Sequence, residues 1–304
     1  MDALSTVLAA TGLKSVVYSK FPLAAPWGLD VIKDENSQFW RLVSGNCTVG
    51  SPDGQIIELK PGDLVFVPHG SAHWIADSAN SLRMPSPEFV KARRAGIPVF
   101  NGDGDVTTLV AGHFEFDYQA LHPFLKDLPP VIHIRQYVTE NQLLLKQVTQ
   151  LMLDELNNEK PGSSLMLRCL SEIMFVNMIR AYLEQDAPQS GFLSALNDSR
   201  ISKALKLMQD SPQTNWTLES LAKEIGMSRS VFFNQFKKLV HETPLDYLTN
   251  WRIRQAKSLL VINNSKISEV AVNVGYQSEA AFNRIFKAKT GSTPAVFRRD
   301  KFLK

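Results

Sequence analysis

Hydrophobic positions near the end of the chain repeat with the period of an α-helix, and the same pattern occurs twice. Each copy places four apolar residues at i, i+3, i+4 and i+7, the stripe that an amphipathic helix buries. The two stripes are Leu218, Leu221, Ala222 and Ile225, and Ile267, Val270, Ala271 and Val274. Gly226 and Gly275 each follow a stripe by one residue, where a helix can end in a left-handed conformation. The pattern predicts two short helices that end in glycine turns.

A second helix is predicted after each glycine. Ser228 and Ser278 stand at N-cap positions. The apolar positions that follow are Phe232, Phe236 and Leu239 in the first copy and Phe282, Ile285 and Phe286 in the second. Helix, glycine turn and helix together predict a helix-turn-helix, duplicated at an offset of 49–50 residues.

Residues 243–260 predict one more helix, which lies between the two copies. Its Pro244 suits a first helical turn. A helix of about sixteen residues is roughly 24 Å long at 1.5 Å per residue. Such a spacer can set two recognition helices into successive major grooves of DNA, roughly 34 Å apart. The second copy is therefore interpreted as a second DNA-reading element.

The first part of the chain has a different pattern. From about residue 13 to 118, short apolar runs are separated by Gly, Pro, Asn and Asp, which predicts an antiparallel β structure. Residues 138–184 show two helical patterns interrupted at 157–164. Residues 184–191 are rich in Gln, Pro, Ser and Gly and predict a flexible joint.

The charge is distributed unevenly between these parts. The 304 residues carry a net charge of only +3. Residues 200–304 hold 18 Lys and Arg against 8 Asp and Glu, a net charge of +10, and residues 1–199 have a net charge of −7. A basic C-terminal third is typical of a polyanion-binding module.

No export signal or membrane span is indicated. Cys47 and Cys169 are too few for a disulfide framework, fit a reducing cytosol, and are expected to be buried packing residues.

Candidate catalytic and metal chemistry is sparse. A metal-dependent enzyme built on a small β-barrel needs clustered His and carboxylate ligands. The strands predicted near residues 37–50 are where such ligands would be expected, but these residues include no His, Asp or Glu. His73 has no neighbouring ligand set, and the remaining histidines in this part follow no ligand spacing: His69, His113, His122 and His133. We predict no catalytic residues, no metal and no cofactor. The segment 101–105, with sequence NGDGD, lacks the rest of an EF-hand and is interpreted as an exposed turn.

Residues 200–299 resemble the DNA-binding domain of AraC/XylS-type transcription regulators. The resemblance rests on the two helix-turn-helix segments, on TPLDYL and WR between them, and on GYQSEAAFNRIFK in the second. It implies DNA-facing positions at Ser228, Arg229, Ser230, Phe233, Asn234, Lys237 and Lys238 in the first motif. In the second motif it implies Gln277, Ser278, Glu279, Ala280, Asn283, Arg284 and Lys287. Arg284 is predicted to contact a base, and Lys237, Lys238 and Lys287 are predicted to contact phosphates.

The N-terminal part resembles a cupin, a small β-barrel of the jelly-roll type. Gly62, Pro68, Gly70 and His73 have the spacing G-x5-P-x-G-x2-H of the second cupin motif, and the segments 25–31, 112–117 and 128–135 resemble the cupin half of AraC-type regulators. A barrel of this size can enclose one ligand. The residues predicted at its mouth or lining are Trp27, Phe39, Trp40, Phe66, His73 and Trp74.

These patterns predict an α+β protein with an N-terminal cupin-like β-barrel and an all-α C-terminal domain. The predicted parts are a sensor domain at 1–125, a helical linker or dimerisation region at 126–190 and a double helix-turn-helix domain at 195–304. The predicted function is cytoplasmic, sequence-specific transcription regulation. Its predicted partners are double-stranded DNA, a small-molecule effector, RNA polymerase and a second copy of the chain, with no membrane. Two alternatives stay open: a metal-dependent cupin enzyme with an accessory helical domain, and a non-catalytic scaffold whose helices bind proteins.

Overall fold

The structure is a computed structural model that describes residues 2–10, 13–116, 123–136, 140–158, 160–185, 191–262 and 265–302. The chain divides into two compact units. We call the first the β-rich unit; it comprises the described residues of Gly12–Leu121 and Leu125–Ala187. The second, the helical unit, comprises those of Met1–Thr11, His122–Phe124 and Pro188–Lys304. Most of the predicted joint at 184–191 lies outside the described residues, as does His122.

Ten strands form two five-stranded sheets among the described residues. The strands are β1 (Lys14–Ala24), β2 (Gly28–Val31), β3 (Ser37–Ser44), β4 (Cys47–Gly50), β5 (Ile56–Leu59), β6 (Leu64–Val67), β7 (His73–Ala76), β8 (Met84–Pro85), β9 (Val106–Glu115) and β10 (Ile132–Ile134). The strand order is β1-β9-β3-β6-β10 in the first sheet and β5-β4-β7-β2-β8 in the second. Every pairing is antiparallel except that of β2 with β8. The predicted antiparallel β structure is confirmed.

The described residues also form thirteen helices. They are α1 (Ala3–Ala10), α2 (Ser86–Arg94), α3 (Pro123–Lys126), α4 (Glu140–Asn158), α5 (Ser163–Gln185), α6 (Phe192–Asn197), α7 (Ser199–Asp210), α8 (Leu218–Glu224), α9 (Arg229–Val240), α10 (Pro244–Ile262), α11 (Ile267–Asn273), α12 (Glu279–Thr290) and α13 (Pro294–Phe302). With two facing sheets and an all-helical C-terminal part, the predicted α+β class is confirmed.

The two sheets share one hydrophobic core. Successive side chains of a strand point to opposite faces, so alternate residues of β3 and β6 enter the space between the sheets. The buried residues of this core are Leu23, Trp27, Leu29, Val31, Trp40, Leu42, Cys47, Val49, Leu59, Val65, Val67, Ile75, Phe89, Leu109 and Ala111. Because both sheets contribute to this cluster, they pack face to face.

Helices α4 and α5 pack on the outer face of the first sheet. Phe175 of α5 is fully buried there, and its ring lies 4.9 Å from that of Phe114 and 5.8 Å from that of Phe66. Phe39 adds a contact of 5.1 Å with Phe114. We call these four residues the phenylalanine cluster. The first sheet is therefore buried on both faces, and α4 and α5, predicted as linker helices, belong to the β-rich unit.

Helix α1 departs from the predicted domain limits. Its side chains Ala3, Val7 and Leu8 are buried, and α1 contacts α7 within the helical unit. The segment predicted as the start of a sensor domain at 1–125 therefore packs with the helices that follow residue 190. A periodic apolar stripe fixes the face that a short helix buries but not the partner against which it packs.

Candidate DNA-binding surface

The first helix-turn-helix consists of α8 and α9. Thr217 caps α8 in a reciprocal pair with Ser220, in which each side-chain oxygen accepts from the other residue's backbone N–H. The chain then turns at Gly226, whose φ is +66°. Ser228 caps α9 by accepting from the Val231 N–H at 3.4 Å. The predicted glycine turn and N-cap are confirmed.

The second helix-turn-helix, α11 and α12, repeats this geometry. Gly275 has a φ of +91°, and Ser278 caps α12 by accepting from the Ala281 N–H at 3.2 Å. The two glycines differ in their surroundings. A Cβ on Gly275 would lie 2.7 Å from the carbonyl oxygen of Pro212, whereas a Cβ on Gly226 would meet no atom within 4 Å. The second turn is therefore fixed by close packing as well as by backbone conformation.

Each recognition helix, α9 or α12, buries one aromatic face and exposes the other. Phe232 and Phe236 of α9 are fully buried with ring centroids 5.6 Å apart, and Phe282 and Phe286 of α12 are fully buried at 5.5 Å. The predicted DNA-facing residues that are exposed are Ser228, Arg229, Ser230, Asn234, Lys237, Lys238, Gln277, Ser278, Glu279, Ala280, Arg284 and Lys287. The burial of the aromatic stripes leaves these side chains on the outer faces of the two motifs.

Two of the predicted positions are less accessible. Phe233 and Asn283 are half-buried. The Oδ1 atom of Asn283 is buried and has no hydrogen-bond partner among the described residues. The Asn283 amide is therefore partly withdrawn from the surface that Arg284 presents.

The exposed cations of α9 and α12 are not paired with described carboxylates. Within the described ranges, none of the following lies within ion-pair distance of a carboxylate: Arg229, Lys237, Lys238, Arg284 and Lys287. The single acidic residue among the predicted positions is Glu279, in the first turn of α12. Both helices also place lysines in their last turn, where the helix dipole favours positive charge.

Helix α10 connects the two motifs and packs on both. On one side, the Tyr247 ring lies 5.9 Å from that of Phe236 in α9. On the other, Ala256 and Leu260 share a buried cluster with Phe282 of α12. The helix has 19 residues, somewhat more than the sixteen predicted. It supplies a continuous rigid connection between the two recognition helices.

Two polar contacts in this unit had not been anticipated from the sequence. Buried Gln209 of α7 donates through Nε2 to the Tyr247 hydroxyl at 2.7 Å, and burial raises the pKa of Tyr247. Asp198 caps α7, accepting from the Arg200 and Ile201 N–H groups at 3.0 Å, and also accepts from Gln235 of α9. The cap at Asp198 has a sequence signal, an Asp directly before a helical stripe. The long-range pairings with Gln235 and Tyr247 have none.

The six predicted effector-pocket residues fall into three separate places. Trp27, Trp40 and His73 lie in the interior between the sheets: the Trp40 Nε1–H donates to His73 Nε2 at 3.0 Å. Since Nε2 accepts, the neutral imidazole carries its proton on Nδ1, which donates to the Ser71 carbonyl at 2.9 Å. Burial lowers the pKa of His73, which favours this neutral form. The Nε1 atom of Trp27 is buried without a partner among the described residues.

The other three residues predicted at the mouth or lining do not face this interior. Phe39 and Phe66 alternate with inward-facing Trp40 and Val65, so they point out of the sandwich into the phenylalanine cluster. Trp74 lies on the outer face of the second sheet. Its ring packs so closely on Gly50 that a Cβ at that position would collide with it. The Arg83 guanidinium lies 4.7 Å from the centre of the same ring.

The cysteines differ from each other, although both had been predicted as buried packing residues. Cys47 is buried in the interior, and burial raises its thiol pKa. Cys169 is exposed on α5, which corrects the prediction.

Within the part of the chain that the structure describes, no group of three or more His, Cys, Asp or Glu side chains is placed to hold a metal ion. Across the same residues, no helix combines the length and apolar character of a membrane span.

Comparison with known proteins identifies both parts of the chain. Residues 2–184 match a family model described as "Cupin", and residues 221–300 match one described as "Helix-turn-helix domain". The HTH-type transcriptional regulator AlkR of Acinetobacter baylyi is 29% identical, with the match covering 99% of this chain and 100% of AlkR. A putative AraC-like transcription regulator of Streptomyces lividans is 28% identical over 98% of both chains. The RCS-specific HTH-type transcriptional activator RclR of Escherichia coli is 26% identical over 98% of this chain and 97% of RclR.

Proposed function

Because this chain belongs to the AraC-type transcriptional regulators that carry an N-terminal cupin domain, we propose that it reads DNA with α9 and α12 in successive major grooves on one face of the duplex. The observation that carries the proposal is the duplicated motif: two recognition helices with the same capping serine and glycine turn, joined through the single helix α10. A 19-residue helix is about 28 Å long, close to the roughly 34 Å between successive major grooves.

The proposal is tested by selecting DNA from a random pool with the purified full-length chain and footprinting the selected site. One chain should protect two major-groove patches about 10–10.5 base pairs apart. Deleting either patch from the DNA should weaken binding strongly. A single protected patch per chain, or selection of no consensus sequence, would contradict the two-helix mode of reading.

Lys237 and Lys238, in the last turn of α9, and Lys287 of α12 are assigned to phosphates. Replacing Lys237 with alanine is expected to weaken binding to every DNA sequence alike, because a phosphate contact carries no base information. The slope of log affinity against log salt should become shallower by about 1. Fluorescence anisotropy at several salt concentrations measures both effects.

Lys33→Ala is the matched control for Lys237→Ala, since it removes one exposed lysine from the β-rich unit. It should leave the affinity and the salt slope unchanged. If Lys237→Ala reduced affinity for the selected site but not for random DNA, the phosphate assignment would be wrong.

We further propose that the chain forms a homodimer through α4 and α5. These helices bury one side against the first sheet. They leave apolar side chains exposed elsewhere, with exposed fractions of 49% for Leu151 and 47% for Ile173. The exposed apolar residues of the pair include Leu143, Leu144, Leu151, Leu165, Met166 and Ile173. Large exposed apolar patches mark interaction sites, and a second copy would cover this one symmetrically.

The double variant Leu151→Asp, Ile173→Asp is expected to convert the dimer to a monomer, since each substitution would bury a charge at the interface. Sedimentation equilibrium at micromolar concentration measures the change. Leu82→Asp is the control, because Leu82 is 93% exposed but lies outside α4 and α5. An unchanged dimer in the double variant would place the interface elsewhere.

We also propose that the cupin domain acts as a sensor and not as an enzyme. Both ring nitrogens of interior His73 are bonded to protein groups, Trp40 and the Ser71 carbonyl, so neither is free to ligate a metal. A small effector would regulate the chain by binding the DNA-competent state with a different free energy from the incompetent state. If the chain binds promoter or operator DNA, its regulatory activity and any contact with RNA polymerase take place in the cytoplasm.

A further inference from the structure

A cavity of about 450 Å³ opens on the outside of the β-sandwich. Ala24 of β1, Val106 of β9 and Arg93 of α2 line it together with the loop 96–102. Leu23 points into the core between the sheets, so its neighbour Ala24 faces the opposite side of the strand. The cavity therefore lies on the outer side of β1, while two of its lining residues, Val99 and Phe100, also pack against the interior cluster.

Hydrogen bonds fix the walls of this cavity. Helix α2 ends in a left-handed turn at Gly96, with φ +70°, and the Ile97 N–H donates back to the Ala92 carbonyl at 2.9 Å. The loop then runs along the edge of β1, where the Ala24 N–H donates to the Phe100 carbonyl at 2.7 Å. Phe100 adopts a φ of +56°, a conformation rare for a side chain of this size. The cavity is a formed feature of the domain.

The lining combines uncovered apolar side chains with one cation. Ile97 is 57% exposed and Val106 is 54% exposed, although both side chains are fully apolar. The Arg93 guanidinium lies 5.0 Å from the centre of the Phe21 ring, and no described carboxylate lies within ion-pair distance of it. The acidic residues of the neighbouring turn, Asp103 and Asp105, do not line the cavity.

We propose that this cavity binds a small organic carboxylate with an apolar body. The carboxylate would pair with Arg93, whose planar guanidinium matches it with two parallel hydrogen bonds. The apolar body would cover Ile97 and Val106, removing apolar surface from water. The volume of the cavity lies within the range of about 300–1,000 Å³ found for small-molecule sites. This binding requires no DNA and does not depend on the proposed function.

Octanoate is the probe, titrated into the full-length chain and followed by calorimetry and by methyl NMR. Saturable binding is expected, with shifts at the methyl groups of Ile97, Val99 and Val106 and not at Leu29 and Val49 of the interior. Acetate keeps the charge but lacks the apolar body, whose burial contributes affinity. The alcohol 1-octanol lacks the charged group, whose hydrogen bond contributes about a factor of 10 or more. Both should therefore bind at least about 10-fold more weakly.

Variants of adjacent arginines separate the site from a general charge effect. Arg93→Gln should weaken octanoate binding about 10-fold or more, and Arg93→Lys, which keeps the charge, should weaken it less. Arg94→Gln is the matched control: Arg94 is exposed in the same helical turn but does not line the cavity, so binding should not change. Absence of saturable binding, equal binding by Arg93→Gln, or shifts confined to the interior would overturn the proposal.

Discussion

Replacing Phe175 with alanine is expected to lower the free energy of unfolding of the β-rich unit by about 3–5 kcal/mol. The side chain is fully buried and contacts the rings of Phe66, Phe114 and Phe116 at 4.9–5.8 Å. Removing it creates a cavity between α5 and the first sheet, in addition to losing the transfer free energy of the ring. Native-state hydrogen exchange at the amides of β3 and β9 reports the opening free energy of this unit within the full-length chain.

Arg180→Ala provides the control in the same helix. Arg180 is exposed on α5 and is not part of the proposed dimer patch, and surface substitutions of this kind usually change stability by no more than about 0.5 kcal/mol. If the exchange of β3 and β9 in Phe175→Ala matched that in Arg180→Ala, α5 would not stabilise the sheet. The phenylalanine cluster would then not explain the burial of Phe39 and Phe66.

Replacing Arg284 with alanine is expected to weaken binding to the selected DNA site by about 1–3 kcal/mol, which is roughly 5- to 150-fold in the dissociation constant. Arg284 is exposed on α12, and no described carboxylate lies within ion-pair distance of it. Its guanidinium is therefore free to donate two hydrogen bonds to a guanine. The variant should also lose discrimination at one base position, which competition by fluorescence anisotropy at fixed salt measures.

Arg299→Ala removes the same charge from α13, where Arg299 is paired with Asp300 at 3.3 Å. Its affinity should stay close to that of the wild type. An equal loss on the selected site and on scrambled DNA in Arg284→Ala would assign Arg284 to the phosphate backbone. No loss of affinity at all would show that Arg284 does not contact the DNA.

The helix-turn-helix geometry could be predicted from the sequence because its determinants are local. Ser228, Ser278 and Gly226 act within a few residues of their own position, through N-cap hydrogen bonds and left-handed backbone. Gly275 is also left-handed and in addition packs closely against Pro212. The aromatic stripes have helical spacing, so the buried face and the exposed face follow from periodicity alone. Periodicity and capping thus indicate which positions of the two motifs are exposed, except that Phe233 and Asn283 are half-buried, and the contacts of these positions with DNA stay a prediction.

The placement of the aromatic residues in the β-rich unit could not be predicted in the same way. Strand alternation separates Phe39 from Trp40, but it does not say which face a helix covers. Both faces of the first sheet are apolar because α5 packs on the outer one, so hydrophobicity does not distinguish them. The pairing of Gln209 with Tyr247 is equally unpredictable, because it depends on the packing of α7 against α10.

Helix α1 has a consequence for the order in which the chain is assembled during translation. It leaves the ribosome well before its packing partner α7, which is encoded at Ser199–Asp210. At a synthesis rate of about 5–20 residues per second, that partner emerges about 10–40 s later. Val7 and Leu8, which are buried in the folded chain, therefore lack this partner until the whole β-sandwich has been synthesised. In nascent chains that stop before α7, this eight-residue segment lacks the partner that buries its apolar side chains and, at that length, is marginal as an isolated helix.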